Sequence, residues 1–202
     1  MQVLLSTIGS RGDVQPILAL ALELRALGHP ARLCVAPNFR EWIESYGLAC
    51  VPIGPDLKKL TGGSLPGKPV LPSKEQLQQM AEESVRGQFR VIAEAARGCE
   101  LIVAAGALQL AARSIAEAQG IPYVFAAYCP AVLPSPHAPP PKIGGRHPFT
   151  LSEEENLQLW KINAAEFEPF GPTLNAERAK IGLGPVGSVR DYMFTGRPWL
   201  AA

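Results

Sequence analysis

Most of what would mark this sequence for nucleic acid, a bilayer or a metal is missing. Nineteen basic residues stand against eighteen acidic ones, a formal charge of +1 with a pI near 7.7. That balance supplies no basic face for a phosphate backbone, so nucleic acid is not an expected partner. No run approaches the roughly 20 uninterrupted apolar residues of a membrane span, which argues against an integral membrane segment. The first residues form a strand-like run without a basic, cleavable apolar leader, so a cytoplasmic location is the expectation. Cysteines number four and histidines three. None of Cys34, Cys50, Cys99 and Cys129 forms a CxxC pair or a metal-ligand spacing with His29, His137 or His147, so free thiols are expected and no metal is implied.

What is present is a core-forming chain. Hydrophobic residues make up 47% of the 202 positions, enough for one sizeable domain. Short β-like runs alternate with helical periodicity: strands are expected at 2–7, 31–36, 48–53, 101–106 and 122–128. Helices are expected at 14–29, 38–47, 74–98 and 107–120, and over most of 152–184 with a break near Pro169 to Pro172. Ser152 and Glu155 have capping-box spacing. This order predicts an α/β fold, a Rossmann-like doubly wound parallel sheet. Two segments lack periodicity, 54–73 and 129–149. Each follows a strand and therefore opens on the carboxyl edge of the sheet, where ligands of open α/β sheets bind.

The corner "TIGSRGDVQP" (7–16) opens on the same edge. Its simplest reading is local: Asp13 caps a helix starting at Val14, Pro16 sits in the first turn, and Gly9 and Gly12 permit the bend. A phosphate site is a second reading, since amides at a helix start attract anions. However, G-S-R-G is not G-x-G-x-x-G, no acidic residue follows the second strand, and no P-loop lysine pair is present. A nucleotide-dependent oxidoreductase is therefore disfavoured. A third reading is catalytic, with the Asp13 carboxylate taking a proton from a hydroxyl as that hydroxyl attacks an activated carbon.

The stretch "LLSTIGSRGDVQPILALALELRALGH" resembles the N-terminus of GT-B glycosyltransferases. These include sterol glucosyltransferases and the bacterial enzymes that decorate glycopeptide and macrolide antibiotics. The resemblance continues through "VAPNFREWIESYGLACVPIGPD", "AEAQGIPYVFAAYCP" and "GPVGSVRDYMFTGRPWLAA". It implies that residues 1–202 form a single N-terminal, acceptor-binding domain. A nucleotide-sugar-binding C-terminal domain would be supplied by a longer chain or a separate polypeptide. On that resemblance Asp13 is the candidate base or acceptor-orienting carboxylate, with Gly9, Ser10, Arg11 and Gly12 near the donor or acceptor. The implied reaction is an inverting transfer of a hexose from a UDP- or TDP-sugar to a hydroxyl of a hydrophobic natural product or lipid, with no cofactor bound by this domain. Many such enzymes carry a histidine in this corner; this sequence does not.

Acceptor contacts are expected from Leu57, Leu60, Leu65, Val70 and Leu71 in the first irregular segment. Val132, Leu133, His137, Ile143 and Phe149 are their counterparts in the second. Trp42 and Trp160, within helical patterns, are expected to pack. The alternative is a non-catalytic α/β binding module, or a subunit needing a separate C-terminal partner.

Overall fold

A strand buried on both faces reads as a mainly apolar run, and β1 (Val3–Thr7) is such a strand, closing on the buried polar pair Ser6 and Thr7. Its five residues are fully buried: Val3 and Leu5 join the core on one face, and Leu4 joins the core on the other. The computed structural model describes residues 1–55, 73–142, 147–148, 150–194 and 198–200. The remaining strands are β2 (Ala31–Val35), β3 (Ala49–Pro52), β4 (Leu101–Ala105), β5 (Tyr123–Ala127) and β6 (Trp199–Leu200). They form one sheet in the order β3-β2-β1-β4-β5-β6, and every pairing is parallel. Val3 pairs with Ala31 on one side and Leu101 on the other. The chain thus builds outward to β3, returns to the far side of β1 as β4, and builds the other way. The order reverses between β1 and β4.

Seven helices cover the two faces among the described residues: α1 (Arg11–Ala26), α2 (Arg40–Glu44), α3 (Lys74–Ala95), α4 (Ala112–Gln119), α5 (Glu153–Ala165), α6 (Gly171–Lys180) and α7 (Val189–Phe194). In α1, Val14, Ile17, Leu18 and Ala21 recur at helical spacing and bury against Leu5, Leu33 and Val35. Opposite them, Val85, Phe89 and Ile92 of α3 share a core with Ile115, Leu174 and Met193 from α4, α6 and α7.

A buried arginine fixes the C-terminal helices to this face. Arg178 Nε donates to the Gly184 carbonyl at 2.8 Å. Its Nη1 donates to Ser114 Oγ at 2.9 Å and to Glu117 Oε2 at 3.0 Å. It also donates to the Tyr192 hydroxyl, with the guanidinium 4.7 Å from that ring's centroid. Burial pushes the Tyr192 phenol up to about 12. The planar five-donor head of arginine is what lets one side chain tie α6, α4 and α7 together.

The expected strand positions and the doubly wound order match the structure. Several boundaries differ. The first helix starts at Arg11 rather than Val14, because Ser10 is its cap. The segment expected as helix 38–47 holds only a 3₁₀ turn (Pro37–Phe39) and the short α2. The helix expected from 107 begins at Ala112, leaving 106–111 as a loop tied down by Gln88 of α3. The Gln88 Oε1 accepts from the amides of Leu110 (2.9 Å) and Ala111 (3.3 Å). The closing helical third breaks into α5, a turn at Glu168–Phe170 and α6, around the two prolines as expected. The Ser152–Glu155 capping box is present.

All four cysteines are free. Burial pushes the Cys34 thiol up to about 12 and Cys50 up to about 11. No helix among the described residues is long and apolar enough to cross a membrane.

Candidate functional site

Parallel strands end together, so their carboxyl ends present a row of loops. The reversal between β1 and β4 opens a crevice in that row. After β1 ends at Thr7, the chain passes through Ile8 and Gly9 and enters α1 at its cap, Ser10.

Asp13 does not cap this helix, contrary to the sequence expectation. It is the third helical residue, and its carboxylate reaches back over the first turn. Its Oδ2 accepts from the Ser10 amide at 2.7 Å and from Ser10 Oγ at 2.9 Å. An ionised acceptor in the first turn satisfies an amide that has no helical partner. The glycines then separate in importance. A Cβ on Gly9 would collide with the Asp13 carboxylate, so that position requires glycine through close approach. A Cβ on Gly12 would meet Ser10 Oγ at an ordinary 3.5 Å, so the turn does not require glycine there. Arg11 is exposed, its guanidinium 4.9 Å from the Trp42 ring centroid, and Phe39 packs on Trp42 in turn.

Two neighbours of Asp13 come from distant strands. Tyr128, the residue after β5, donates its hydroxyl proton to the Asp13 backbone carbonyl at 2.7 Å. Burial holds this phenol well above its ordinary value; the Thr7 hydroxyl nearby lowers it and the Asp13 charge raises it. Gly106, the residue after β4, has φ +84° and brings its backbone against the corner. The structure thus assembles Thr7, Asp13, Gly106 and Tyr128 at the ends of three strands. Sequence reasoning missed Thr7, Gly106 and Tyr128. The available signal was that all three close a β-like run, and strand ends share one edge in a parallel sheet.

The second irregular segment is less free than expected. Val132 and Leu133 are half-buried and pack against the core that α3, α4, α6 and α7 share. Arg190 donates to the Val132 carbonyl at 2.8 Å, Asn156 to Pro136 at 2.9 Å and the Trp160 indole to Ala138 at 2.8 Å. Trp160 is buried, as expected of a packing residue. His137 is exposed, its Nδ1 3.4 Å from Glu153 Oε1. Leu57, Leu60, Leu65, Val70, Leu71, Ile143 and Phe149 lie outside the described residues.

A doubly wound parallel sheet with a pinned carboxylate at its reversal point defines a Rossmann-like domain with a candidate ligand site at the carboxyl edge. Residues 3–135 match the glycosyltransferase family 28 N-terminal domain, and the chain belongs to that family. It is 44% identical over 206 residues to glycosyltransferase GtfC of Amycolatopsis orientalis, a match covering 100% of this chain and 48% of that protein. It is 38% identical over 205 residues to the vancomycin aglycone glucosyltransferase of the same organism, covering 100% of this chain and 49% of that protein. A sterol 3-beta-glucosyltransferase of Neurospora crassa is 30% identical over 174 residues, covering 81% of this chain and 11% of that protein. The chain spans about half the length of the Amycolatopsis relatives it matches.

Solved structures agree on the fold. The glycosyltransferase of kitacinnamycin superposes with a TM-score of 0.60 at 16% identity, over 98% of this chain and 45% of that one. The calicheamicin glycosyltransferase CalG4 superposes at 0.58 with 20% identity, over 90% of this chain and 43% of that one.

Proposed function

We propose that this chain is the acceptor-binding domain of an inverting glycosyltransferase, and that Asp13 is its catalytic base. The observation that carries the reading is the half-buried Asp13 carboxylate, pinned by Ser10 at the reversal point of the sheet. A carboxylate held in place can accept a proton as a bond forms, without waiting to be oriented. In the proposed reaction an acceptor hydroxyl oxygen attacks the anomeric carbon of a hexose. The bond from that carbon to the nucleoside diphosphate breaks on the opposite face, and the diphosphate leaves with the electron pair. The hydroxyl proton passes to Asp13.

The donor, a UDP- or TDP-sugar, belongs on this reading to a C-terminal domain, in the same chain or a partner. The span of about half of each Amycolatopsis relative supports that division. One further relative, 35% identical over 204 residues, is a dTDP-epi-vancosaminyltransferase, which favours a thymidine nucleotide. Relatives described as acting on the vancomycin aglycone and on sterols favour a bulky, largely apolar acceptor. Its contacts would come from residues 57–71 and from the region of His137, Ile143 and Phe149, with Arg11 and Gly12 at the rim. Free thiols favour the cytoplasm as the working compartment.

The test is Asp13→Asn in the two-domain protein. The amide keeps the shape and loses the basic oxygen, so kcat is expected to fall by about 10²–10⁴-fold. Aglycone affinity by calorimetry should stay within about twofold. An unchanged kcat would reduce Asp13 to a helix-terminal hydrogen-bond acceptor.

A further inference from the structure

The segment that follows β5 starts beside the β1–α1 corner. Tyr128 bonds to the Asp13 backbone carbonyl at 2.7 Å, and the next residues, Cys129, Pro130 and Ala131, are exposed. From 129 to 138 the chain makes one 3₁₀ turn (Pro130–Val132) and a single antiparallel bridge between Ser135 and Ala138. Carbonyls outside a helix or ladder need other donors. Three of them find side chains. Arg190 Nη2 donates to the Val132 carbonyl (2.8 Å), Asn156 Nδ2 to Pro136 (2.9 Å) and Trp160 Nε1 to Ala138 (2.8 Å).

These donors form one assembly. Asn156, Trp160 and Asn163 stand at i, i+4 and i+7 of α5 and so share one stripe of that helix. An inward stripe is ordinarily apolar; this one carries a polar head at each position. Arg190 of α7 closes it, with Nε donating to Asn163 Oδ1 at 2.9 Å and the guanidinium 4.7 Å from the Trp160 ring centroid. Asn156 and Arg190 are 3% exposed and Trp160 is 5% exposed. A buried guanidinium is costly unless its donors are used, and here they hold a loop and the stripe behind it. Asn156 Oδ1 is buried without a partner among the described residues, so the polar contribution of that side chain runs through its bond to Pro136.

We infer that Asn156, Trp160 and Arg190 determine acceptor specificity from behind, as a cradle that fixes the course of residues 129–138 beside the corner. They are positioning residues: they hold the carbonyls of the segment, and the acceptor meets its exposed outer side. Pro130, Pro134 and Pro136 each fix one backbone torsion. The segment therefore has few torsions with which to absorb a lost anchor, and a shift at 136 or 138 is passed along toward 131. The inference rests on the reading of this domain as the acceptor-binding half and adds what shapes its wall.

The experiment measures steady-state kinetics of variants of the two-domain protein with UDP- or TDP-glucose. The acceptor is whichever of vancomycin aglycone and cholesterol the unmodified protein glycosylates; turnover of neither would overturn the acceptor reading and the cradle with it. Trp160→Phe keeps a ring beneath Arg190 and removes the donor to Ala138. Asn156→Leu keeps the approximate shape, removes the donor to Pro136 and also removes an unpaired buried oxygen, so its melting temperature should stay within a few degrees. Each should raise the acceptor KM about 10-fold, the scale on which a pocket discriminates one methylene. The kcat at saturating acceptor and the nucleotide-sugar KM should stay within about twofold, the signature of lost acceptor binding alone. Ile43→Val is the stability control, trimming a fully buried side chain in the core on the opposite face of the sheet from Val132 and Leu133. It should lower the melting temperature and leave both KM values unchanged. An unchanged acceptor KM in Trp160→Phe and Asn156→Leu would overturn the cradle, as would an equal rise in Ile43→Val. Asp13→Asn, run in parallel, moves the other parameter, lowering kcat with KM kept. If it does so while the cradle variants keep their KM, the cradle alone is wrong. If it is fully active while they lose acceptor affinity, the base is wrong and the cradle stands.

Discussion

Replacing Gly9 with alanine adds a single methyl group where the structure has the Asp13 carboxylate. The backbone at Gly9 is outside the left-handed region, so alanine meets no conformational barrier and the whole effect comes from the clash. Asp13 must swing away and release both Ser10 donors, held now at 2.7 and 2.9 Å. Losing such an interaction at a helix start costs about 0.5–2 kcal/mol. For a chain of this size that lowers the melting temperature by about 1–8 °C. Catalysis should suffer more, because a shift of about 1 Å in a reacting group costs on the order of 10²-fold in rate.

A double-mutant cycle isolates the cause. In an Asp13→Gly background the carboxylate and the Asp13 Cβ, which would stand 3.0 Å from the new methyl, are both absent, so Gly9→Ala no longer collides. By reducing the freedom of the unfolded chain it should then be neutral or stabilising by about 0.4–1 kcal/mol. The sign of one substitution thus reverses with the residue at 13, a coupling readable by urea unfolding monitored by circular dichroism. Losses that simply add in the double mutant would refute the idea that Gly9 exists to admit Asp13. So would a Gly9→Ala enzyme with full activity.

Two further predictions concern stability. Arg178→Met keeps the stem but removes the donor from which the buried Ser114 hydroxyl, the half-buried Tyr192 hydroxyl and the Gly184 carbonyl accept, and takes the buried guanidinium from Glu117. We expect a loss of about 3 kcal/mol, the low end for breaking a buried charged pair, because Glu117 is a third exposed. A urea midpoint matching the unmodified chain would show that the clamp is dispensable. Alkaline pH should destabilise the fold. The Cys34 thiol and Tyr192 phenol sit near 12 in the folded protein, whereas in the unfolded chain they ionise near 8.5 and 10. The folded state therefore holds more protons above about pH 8. Stability should be flat below that and fall by up to about 1.4 kcal/mol per pH unit per group above it. Cys34→Val should make the decline between pH 9 and 10 shallower, and an equally steep decline would remove Cys34 as a contributor.

Physical periodicity explains how much could be read in one dimension. β1 and β4 are short apolar runs because both faces are covered, and the i, i+3, i+4, i+7 pattern of α1 follows from packing on one of those faces. Glycine and proline mark the turns between them. The parallel order, the carboxyl-edge location of the corner and the candidacy of Asp13 were therefore legible in the residues and in their resemblance to a known family. Other features depended on atoms brought together from far along the chain. Ser10 rather than Asp13 caps α1, because the backbone is extended at Ser10 and helical from Arg11, and Asp13 reaches back from the third helical position to the Ser10 amide. Val132 and Leu133 pack inward, and Arg190 holds the Val132 carbonyl from 58 residues away in sequence. Tyr128 reaches the Asp13 carbonyl across 115 residues, and Gly106 comes close to the Asp13 carboxylate from the end of β4. By itself the sequence determined the elements, their order and the carboxylate. Only the tertiary structure decided which oxygen of that carboxylate Ser10 holds and which strand ends stand beside it, because strand register alone sets which loop ends become neighbours.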